Sequence, residues 1–267
     1  MISIPIEIIN TRIILEAKAN NISGKFLLDT GAQISVIGPH VFKKLNLPEM
    51  GFHTGNVAGN KTIKIPLTKL NTVAIGSFKV PLNPVAIVDT NNVLAAEGLF
   101  VDGAIGSDFL KNFIFTIDYK DKKIIFEDEA SYSKKSKTGK IVPIKLVNDS
   151  ILYLSTVING HNIFDDEYKI DTGCRTTVIR LKDAHNLGID INSRDVKEET
   201  KRSLGGDYKA HRLQLQSFGV SDDLLIRSLN VNTFETPIGF IGGDYLKNFS
   251  ITFNYKDHLT IFSSFLT

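Results

Sequence analysis

The sequence has very little of several features that often decide a protein's class. Its 267 residues include a single cysteine, Cys174, so a disulfide within the chain is excluded. No apolar run reaches about 18 residues, which excludes a helix that spans a membrane. Basic and acidic residues nearly balance at 31 and 29, for a net charge of +2. Composition therefore gives no reason to expect a nucleic-acid or membrane partner.

Signals for bound groups are equally scarce. The six histidines show no metal-ligand spacing with one another or with the cysteine. The glycine pair Gly205 and Gly206 does not follow a phosphate-loop pattern. We therefore expect neither a metal nor a cofactor. The first residues run directly into a predicted strand without a signal-peptide pattern, which predicts a cytoplasmic protein by default, or an exported one whose signal has been removed.

The most informative feature of the sequence is a long internal repeat. DTGAQISVI (29–37) matches DTGCRTTVI (171–179) at five of nine positions. IGSDFLKNFIFTIDYKDKKIIF (105–126) matches IGGDYLKNFSITFNYKDHLTIF (241–262) at 13 of 22 positions. A period of about 140 residues is far longer than a solenoid repeat, so it indicates a duplicated domain.

The repeat also predicts the domain boundaries. The stretch 129–140 is polar and rich in lysine, without an apolar period, and is predicted to be a linker. It would join a first domain of residues 1–128 to a second domain of residues 141–267. Each half is close to the usual size of one domain.

Short strand patterns separated by asparagine and glycine dominate both halves, so the predicted class is mainly β. The few predicted helices are short. Pro39 suits the first turn of one helix, and Ser107 is expected to cap the start of another. Gly188 is expected to end a third.

Each copy of the repeat carries an aspartate directly after an apolar strand. Asp29 and Asp171 occupy equivalent places, so a two-fold packing of the halves would let them meet at the pseudo-axis. Two carboxylates in contact cannot both ionise easily and share a proton. One would then activate a water molecule as general base, and the other would polarise a carbonyl group.

The residues that follow each aspartate suit such a site. Thr30 and Thr172 can hydrogen bond across the pseudo-axis, and Gly31 and Gly173 let backbone N–H groups approach the carboxylates. The predicted site is therefore a catalytic pair, Asp29 and Asp171, with supporting residues Thr30, Gly31, Ala32, Thr172, Gly173 and Cys174.

These motifs resemble the retropepsin-like aspartic proteases, in a tandem single-chain form with two DTG sequences. The likeness rests on Phe26–Ala32 and Ala104–Leu110 in the first copy, and on Tyr168–Cys174 and Phe240–Leu246 in the second. It implies two homologous acid-protease β-barrel domains in a bilobal, pseudo-two-fold molecule. It further implies an aspartic endopeptidase that cleaves extended peptides or proteins as a monomer.

The resemblance also implies two glycine-rich hairpins, or flaps, that cover the cleft. We expect them near residues 54–61 and 203–208, with substrate-binding candidates Val57, Ala58, Gly59, Leu204, Gly205 and Gly206. Two departures stand out. Cys174 occupies a position where the family has alanine or serine, and Lys169 precedes the second motif where the first copy has the apolar Leu28.

Other interpretations of the same residues stay open. The two aspartates could be turn-capping residues copied by duplication. The protein could be a non-catalytic peptide-binding module derived from a protease, or a structural duplicate whose halves each dimerise with another chain. Asp108 and Asp244 are interpreted as charge compensation at helix starts rather than as a second acid pair. A nucleophilic role for Cys174 would need a histidine partner.

Overall fold

The computed structural model of the chain describes residues 1–59, 61–127, 132, 138–148 and 151–265. Of the predicted linker, residues 129–131 and 133–137 lie outside this part of the chain. None of the described helices is both long enough and apolar enough to cross a membrane.

The first half consists mostly of strands with short helices between them. Its strands are β1 (Ile2–Pro5), β2 (Glu7–Ile9), β3 (Arg12–Ala19), β4 (Ile22–Leu28), β5 (Val36–Ile37), β6 (Phe52–Val57), β7 (Lys61–Ile75), β8 (Phe78–Ile87), β9 (Gly103–Ile105), β10 (Ile114–Asp118) and β11 (Lys123–Glu127). Its helices are α1 (Pro39–Leu45), α2 (Asn91–Leu94), a 3-10 turn (Ala95–Glu97) and α3 (Ser107–Leu110).

The second half repeats this order of strands, with its 3-10 turn at a different place. Its strands are β12 (Lys140–Pro143), β13 (Lys145–Val147), β14 (Ile151–Ile158), β15 (His161–Ile170), β16 (Val178–Arg180), β17 (Lys197–Ser203), β18 (Gly206–Gly219), β19 (Ile226–Phe234), β20 (Gly239–Ile241), β21 (Phe249–Asn254) and β22 (Leu259–Ser264). Its helices are α4 (Leu181–Asn186), a 3-10 turn (Asp222–Leu224) and α5 (Gly243–Leu246).

The predicted mainly β class is confirmed, and the two halves build sheets of identical strand order. The first sheet runs β2-β3-β4-β9-β5-β8-β7-β6 with an additional β3–β7 pairing. The second runs β13-β14-β15-β20-β16-β19-β18-β17 with an additional β14–β18 pairing. Each strand of one sheet therefore has a counterpart eleven strands later in the other, as the sequence repeat leads one to expect.

A third sheet contains strands of both halves, in the order β1-β11-β10-β21-β22-β12. At its centre β10 pairs antiparallel with β21, and Phe115 stands opposite Phe253. The two rings stack at 4.8 Å, and the neighbouring Thr116 and Thr252 hydroxyls share a 2.8 Å hydrogen bond. Full burial of each phenylalanine contributes about 1.5–3 kcal/mol. This sheet therefore ties the chain's two halves together through the equivalent strands β10 and β21, with the equivalent Thr116 and Thr252 facing each other.

The short helices differ slightly from the sequence prediction. Pro39 begins α1 as expected, but Gly106 rather than Ser107 is the N-cap residue of α3. Ser107 is the first helical residue, and its hydroxyl donates to the Thr30 carbonyl oxygen at 2.9 Å. The expected cap is thus wrong because a tertiary contact takes the serine side chain. Gly188 follows the end of α4 in a left-handed conformation, with φ of 68°, one residue beyond the C-cap position.

Candidate active site

Each DTG motif lies where a buried strand leaves its sheet. Leu28 and Ile170 end β4 and β15 and are fully buried. The next residue in each half continues the parallel pairing, since Asp29 N–H donates to the Ile105 carbonyl at 2.9 Å and Asp171 N–H donates to Ile241 at 3.0 Å. The apolar strand therefore leads into an acid because the core holds the strand while the carboxylate emerges at its end.

The two DTG loops are joined by reciprocal threonine hydrogen bonds. The Thr30 N–H donates to Thr172 Oγ1 at 3.0 Å, and the Thr172 N–H donates to Thr30 Oγ1 at 3.1 Å. Each hydroxyl then donates across to the other half, Thr30 to the Ile170 carbonyl at 2.9 Å and Thr172 to the Leu28 carbonyl at 2.7 Å. Both threonines are fully buried. Every polar group in this exchange is satisfied by its counterpart.

This arrangement brings each carboxylate against the opposite loop. A Cβ atom added to Gly31 would stand 2.3 Å from Asp171 Cγ, and one added to Gly173 would stand 2.6 Å from Asp29 Cγ. Real Cβ atoms do not approach other atoms so closely, so only glycine fits at these two positions. The glycines are needed for close approach rather than for an unusual turn.

Backbone N–H groups orient the carboxylates. Asp29 Oδ1 accepts bonds from Gly31 N–H and Ala32 N–H, both at 2.9 Å. Asp171 Oδ1 accepts one from Cys174 N–H at 2.9 Å. The predicted support residues of both loops thus surround the two acids.

Burial and a second negative charge both act on Asp29. Its pKa is raised to about 7, first because burial disfavours the charged form and then because the Asp171 carboxylate repels it. The Lys169 ammonium group and the backbone donors Ala32 and Gly31 act in the opposite direction without cancelling the rise. A carboxyl group of this kind retains its proton close to neutral pH.

Asp108 and Asp244 perform a structural task that the sequence interpretation described incompletely. Asp108 accepts bonds from the Ser35 N–H and hydroxyl at 2.9 and 2.5 Å, and Asp244 accepts the same pair from Thr177 at 2.9 and 2.6 Å. Burial is the first cause that raises the pKa of each acid. Ser35 and Thr177 were missed by sequence analysis, although a hydroxyl residue six positions after each DTG aspartate was a visible signal.

The hairpin candidates lie at the ends of two hairpins, β6–β7 and β17–β18. These ends contact each other. The Ser203 hydroxyl donates to the Ala58 carbonyl at 2.8 Å, and a Cβ on Gly59 would stand 2.8 Å from Tyr208 Cβ. A Cβ on Gly205 would likewise stand 2.8 Å from Val57 Cγ2. The remaining predicted residues, Leu204 and Gly206, belong to the same second hairpin end.

An open cavity of about 510 Å³ lies between these hairpins and the end of β8. Its lining residues are Ile63, Lys64, Ile65, Pro66, Ile87, Val88, Asp89, Asn92, Arg202, Ser203, Leu204, Gly206 and Asp207. The lining includes neither Asp29 nor Asp171. The loop geometry, rather than the cavity, therefore identifies the candidate active site.

Cys174 is half-buried beside the second loop. Its thiol donates to the Thr176 carbonyl at 3.1 Å, and its side chain packs against a small cluster that includes Val178 and Phe234. Burial raises the pKa of the thiol, and the charge of Asp171 adds to the rise. The cysteine therefore stays a neutral packing residue. Among the described residues no group of three or more His, Cys, Asp or Glu could hold a metal ion.

Two basic residues cross between the halves at this site. Arg12 Nε donates to the Gly173 carbonyl at 3.0 Å while its Nη1 pairs with Glu97 Oε2 at 2.5 Å. Lys169 Nζ donates to the Gly31 carbonyl at 2.8 Å. Arg12 was not predicted, and its isolated position in a strand gave no signal for this role.

The strand registers also correct one sequence comparison. The sequence comparison matched Lys169 with Leu28. In the structure, Lys169 lies one residue before the end of β15 and pairs with Phe240, and Leu27 lies one residue before the end of β4 and pairs with Ala104. The counterpart of Lys169 is therefore Leu27. Each of the two residues lies two positions before its aspartate.

Loss of one threonine hydroxyl should destabilise the joined loops strongly. Thr30→Val keeps the shape but leaves the Thr172 N–H and the Ile170 carbonyl buried without this partner. Each such group costs about 1–3 kcal/mol, so we expect a loss of about 2–5 kcal/mol in the free energy of unfolding, measured by urea denaturation. Thr200→Val, at an exposed site on β17, is the control and should change stability by less than about 0.5 kcal/mol. Equal effects of the two variants would contradict the prediction.

Comparison with known proteins gives one family match. Residues 15–109, roughly a third of the chain, match a family model described as aspartyl protease. The matched segment contains the first DTG loop, the first hairpin and the Gly103–Ile105 strand. No curated protein matches the chain. The match supports an aspartic protease family and a general aspartic protease function.

Proposed function

We propose that this chain is an aspartic endopeptidase in which both halves contribute to one active site, with Asp29 and Asp171 as the catalytic pair. The observation that carries the proposal is the reciprocal exchange between Thr30 and Thr172, because it holds the two acids against opposite loops. The match of residues 15–109 to aspartyl proteases supports the same reaction class.

The proposed organisation is a retropepsin-like, bilobal monomer. Domains of residues 1–128 and 141–267 would be joined by the linker 129–140. The equal strand order of the two large sheets, and the shared sheet between the halves, support a pseudo-two-fold duplicate. Since both DTG loops belong to one chain, a second copy is not needed to complete the site.

In the proposed reaction, the ionised aspartate removes a proton from a water molecule as the water oxygen attacks the peptide carbonyl. The protonated aspartate donates a hydrogen bond, then its proton, to the carbonyl oxygen. When the C–N bond breaks, the aspartate that took the water proton gives it to the leaving nitrogen. The other aspartate takes a proton back from one hydroxyl of the tetrahedral intermediate, which becomes the carboxyl group, so the pair returns to its starting state. Sharing one proton between such acids is established behaviour of aspartic proteases. No cofactor enters any step.

The hairpin ends are proposed to form the substrate lid. Val57, Ala58 and Gly59 on one hairpin face Leu204, Gly205 and Gly206 on the other, and the Ser203–Ala58 hydrogen bond joins the two ends. We propose that the joined ends cover the cleft. A peptide would enter when these ends separate and would bind as an added strand. The substrate class is therefore an extended peptide segment rather than a folded surface.

The test is cleavage of a mixed, unstructured peptide pool, read by mass spectrometry from pH 4 to pH 9. We expect cuts at acid to near-neutral pH that decline as the pH rises through about 7, because the pair then loses the proton that sits on Asp29. The sign is set by the raised pKa: below it one aspartate is protonated, and above it both are charged. A rate that stays constant to pH 9 would contradict this dependence, and a complete absence of cuts from folded protein would favour the peptide-binding module.

A further inference from the structure

The ammonium group of Lys169 lies beside the proposed catalytic pair. Lys169 projects from β15 with a side chain only 12% exposed, and its Nζ lies 3.8 Å from Asp171 Oδ2. The same ammonium group donates to the Gly31 carbonyl at 2.8 Å and lies 5.0 Å from the centre of the Phe240 ring. The hydrogen bond and the ring hold the charge in one place against the acid.

The equivalent place in the other half has no charge. Leu27 occupies the position two residues before Asp29, as Lys169 does before Asp171. The two loops otherwise match closely, down to the reciprocal threonine bonds. Lys169 therefore breaks the symmetry of the pair by one full positive charge.

Among the side chains that the structure describes, the other charged or titratable groups near the pair have partners or are held neutral. Arg12, from β3, is balanced by Glu97, which Arg175 also approaches at 3.4 Å. From the remaining neighbouring elements, Cys174 and Tyr208 are held neutral by raised pKa values, and Asp108 and Asp244 are bound to Ser35 and Thr177.

We propose that Lys169 is a positioning residue that assigns different roles to the two aspartates. Asp171 carries the negative charge and acts as general base. Asp29 holds the proton and polarises the carbonyl. The inference rests on the proposed function. Asp29 accepts two backbone N–H bonds and Asp171 one, which by itself would favour charge on Asp29. A full positive charge at 3.8 Å outweighs one additional neutral donor.

The assignment has a consequence for the substrate. In a symmetric pair either acid can take the base role, so a peptide can bind in either direction along the cleft. With the charge fixed on Asp171, water attack and proton donation come from set sides. The scissile bond is then cleaved productively in one direction of the bound strand.

The test compares pH profiles of kcat/KM for three variants. Lys169→Gln keeps a hydrogen-bond donor without charge, Lys169→Leu copies the first half, and Lys169→Arg keeps the charge. Loss of the cation favours the protonated pair, so both limbs of the profile should move to higher pH by about one unit or more in the Gln and Leu variants. The Arg variant and the exposed-site control Lys79→Leu should keep the wild-type profile.

A second measurement does not depend on activity. Carboxyl-carbon NMR of protein labelled at aspartate, with the signals of the pair assigned from Asp29→Asn and Asp171→Asn, follows the shared proton directly. In the wild type the resonance that responds to the proton near pH 7 should be that of Asp29. In Lys169→Gln the response should be divided between both acids and occur at higher pH.

The outcomes distinguish the role of Lys169 from the protease proposal. If the Gln and Leu variants are active and the limbs of their pH profiles do not move, or if the NMR titration is unchanged, the role of Lys169 is overturned. The protease proposal would then still stand. A wild type that cleaves nothing but shows the NMR shift on loss of the lysine would overturn the protease proposal and keep the assignment of the proton. A structural role alone would lower thermal stability in the variants without moving either titration.

Discussion

Replacing either Asp29 or Asp171 by asparagine is expected to abolish peptide cleavage, with a loss of at least about 10²–10⁴-fold in kcat/KM. Both variants should lose activity for the same reason, because asparagine can neither accept the proton from water nor donate one to the carbonyl. Each change leaves the shape of the loop and its threonine exchange intact. The measurement is single-turnover cleavage of the best peptide from the pool, at pH 5 and pH 7.

Stability gives an internal control for these variants. The folded protein holds the Asp29 proton up to about pH 7 against an ordinary value of 3.8, so this group's contribution to folding is present at low pH and declines as the pH rises from about 4 to 7. Asp29→Asn should therefore gain stability relative to wild type across that interval. Asp121→Asn, in the exposed β10–β11 turn, should change neither activity nor this trend. Retained cleavage in one of the two dyad variants would contradict a shared pair.

Adding one methyl group to either loop glycine should be nearly as damaging. In Gly31→Ala the new Cβ would stand 2.3 Å from Asp171 Cγ, and that carboxylate is held in place by Cys174 N–H and Lys169. The acid must move by about 1 Å, and a displacement of that size costs about 10²-fold in rate. Gly173→Ala should act in the same way through Asp29. Steady-state kinetics together with thermal unfolding measure the effect.

Gly188→Ala is the matched control for the glycine variants. Gly188 has a φ of 68° and nothing within 4 Å of an added Cβ. Alanine there should cost about 1–2 kcal/mol of stability from backbone strain while cleavage is unaffected. In contrast, Gly31→Ala and Gly173→Ala should lose much more cleavage activity than their loss of stability explains. Full activity in Gly31→Ala would mean that the acids do not need the arrangement seen here.

Much of this molecule was predictable because its signals are local and occur twice. Strand-forming segments broken by asparagine and glycine predicted the mainly β class, which the structure confirms. The placement of a DTG sequence after an apolar strand predicted two equivalent acids, and the structure brings their loops together. The hairpin candidates, chosen by glycine content and position, lie at the ends of two hairpins that contact each other.

The errors and omissions share a different cause. The Ser107 cap was wrong because its hydroxyl is used by Thr30, 77 positions away in sequence. Arg12 was missed because its partner, the Gly173 carbonyl, lies 161 positions away. No local pattern carries such information, since these contacts exist only after segments distant in sequence have packed together.

By itself, the sequence determined the class, the repeat and the identity of the paired acids, because strand propensity, turn chemistry and a duplicated motif are written in neighbouring residues. Only the tertiary structure decided how the environments of Asp29 and Asp171 differ from each other. The Lys169 side chain reaches Gly31 and Asp171 because β15 ends beside the opposite loop, and burial there raises the pKa of Asp29. Burial and charge proximity are properties of the packed chain, so they arise only when distant segments exclude water together.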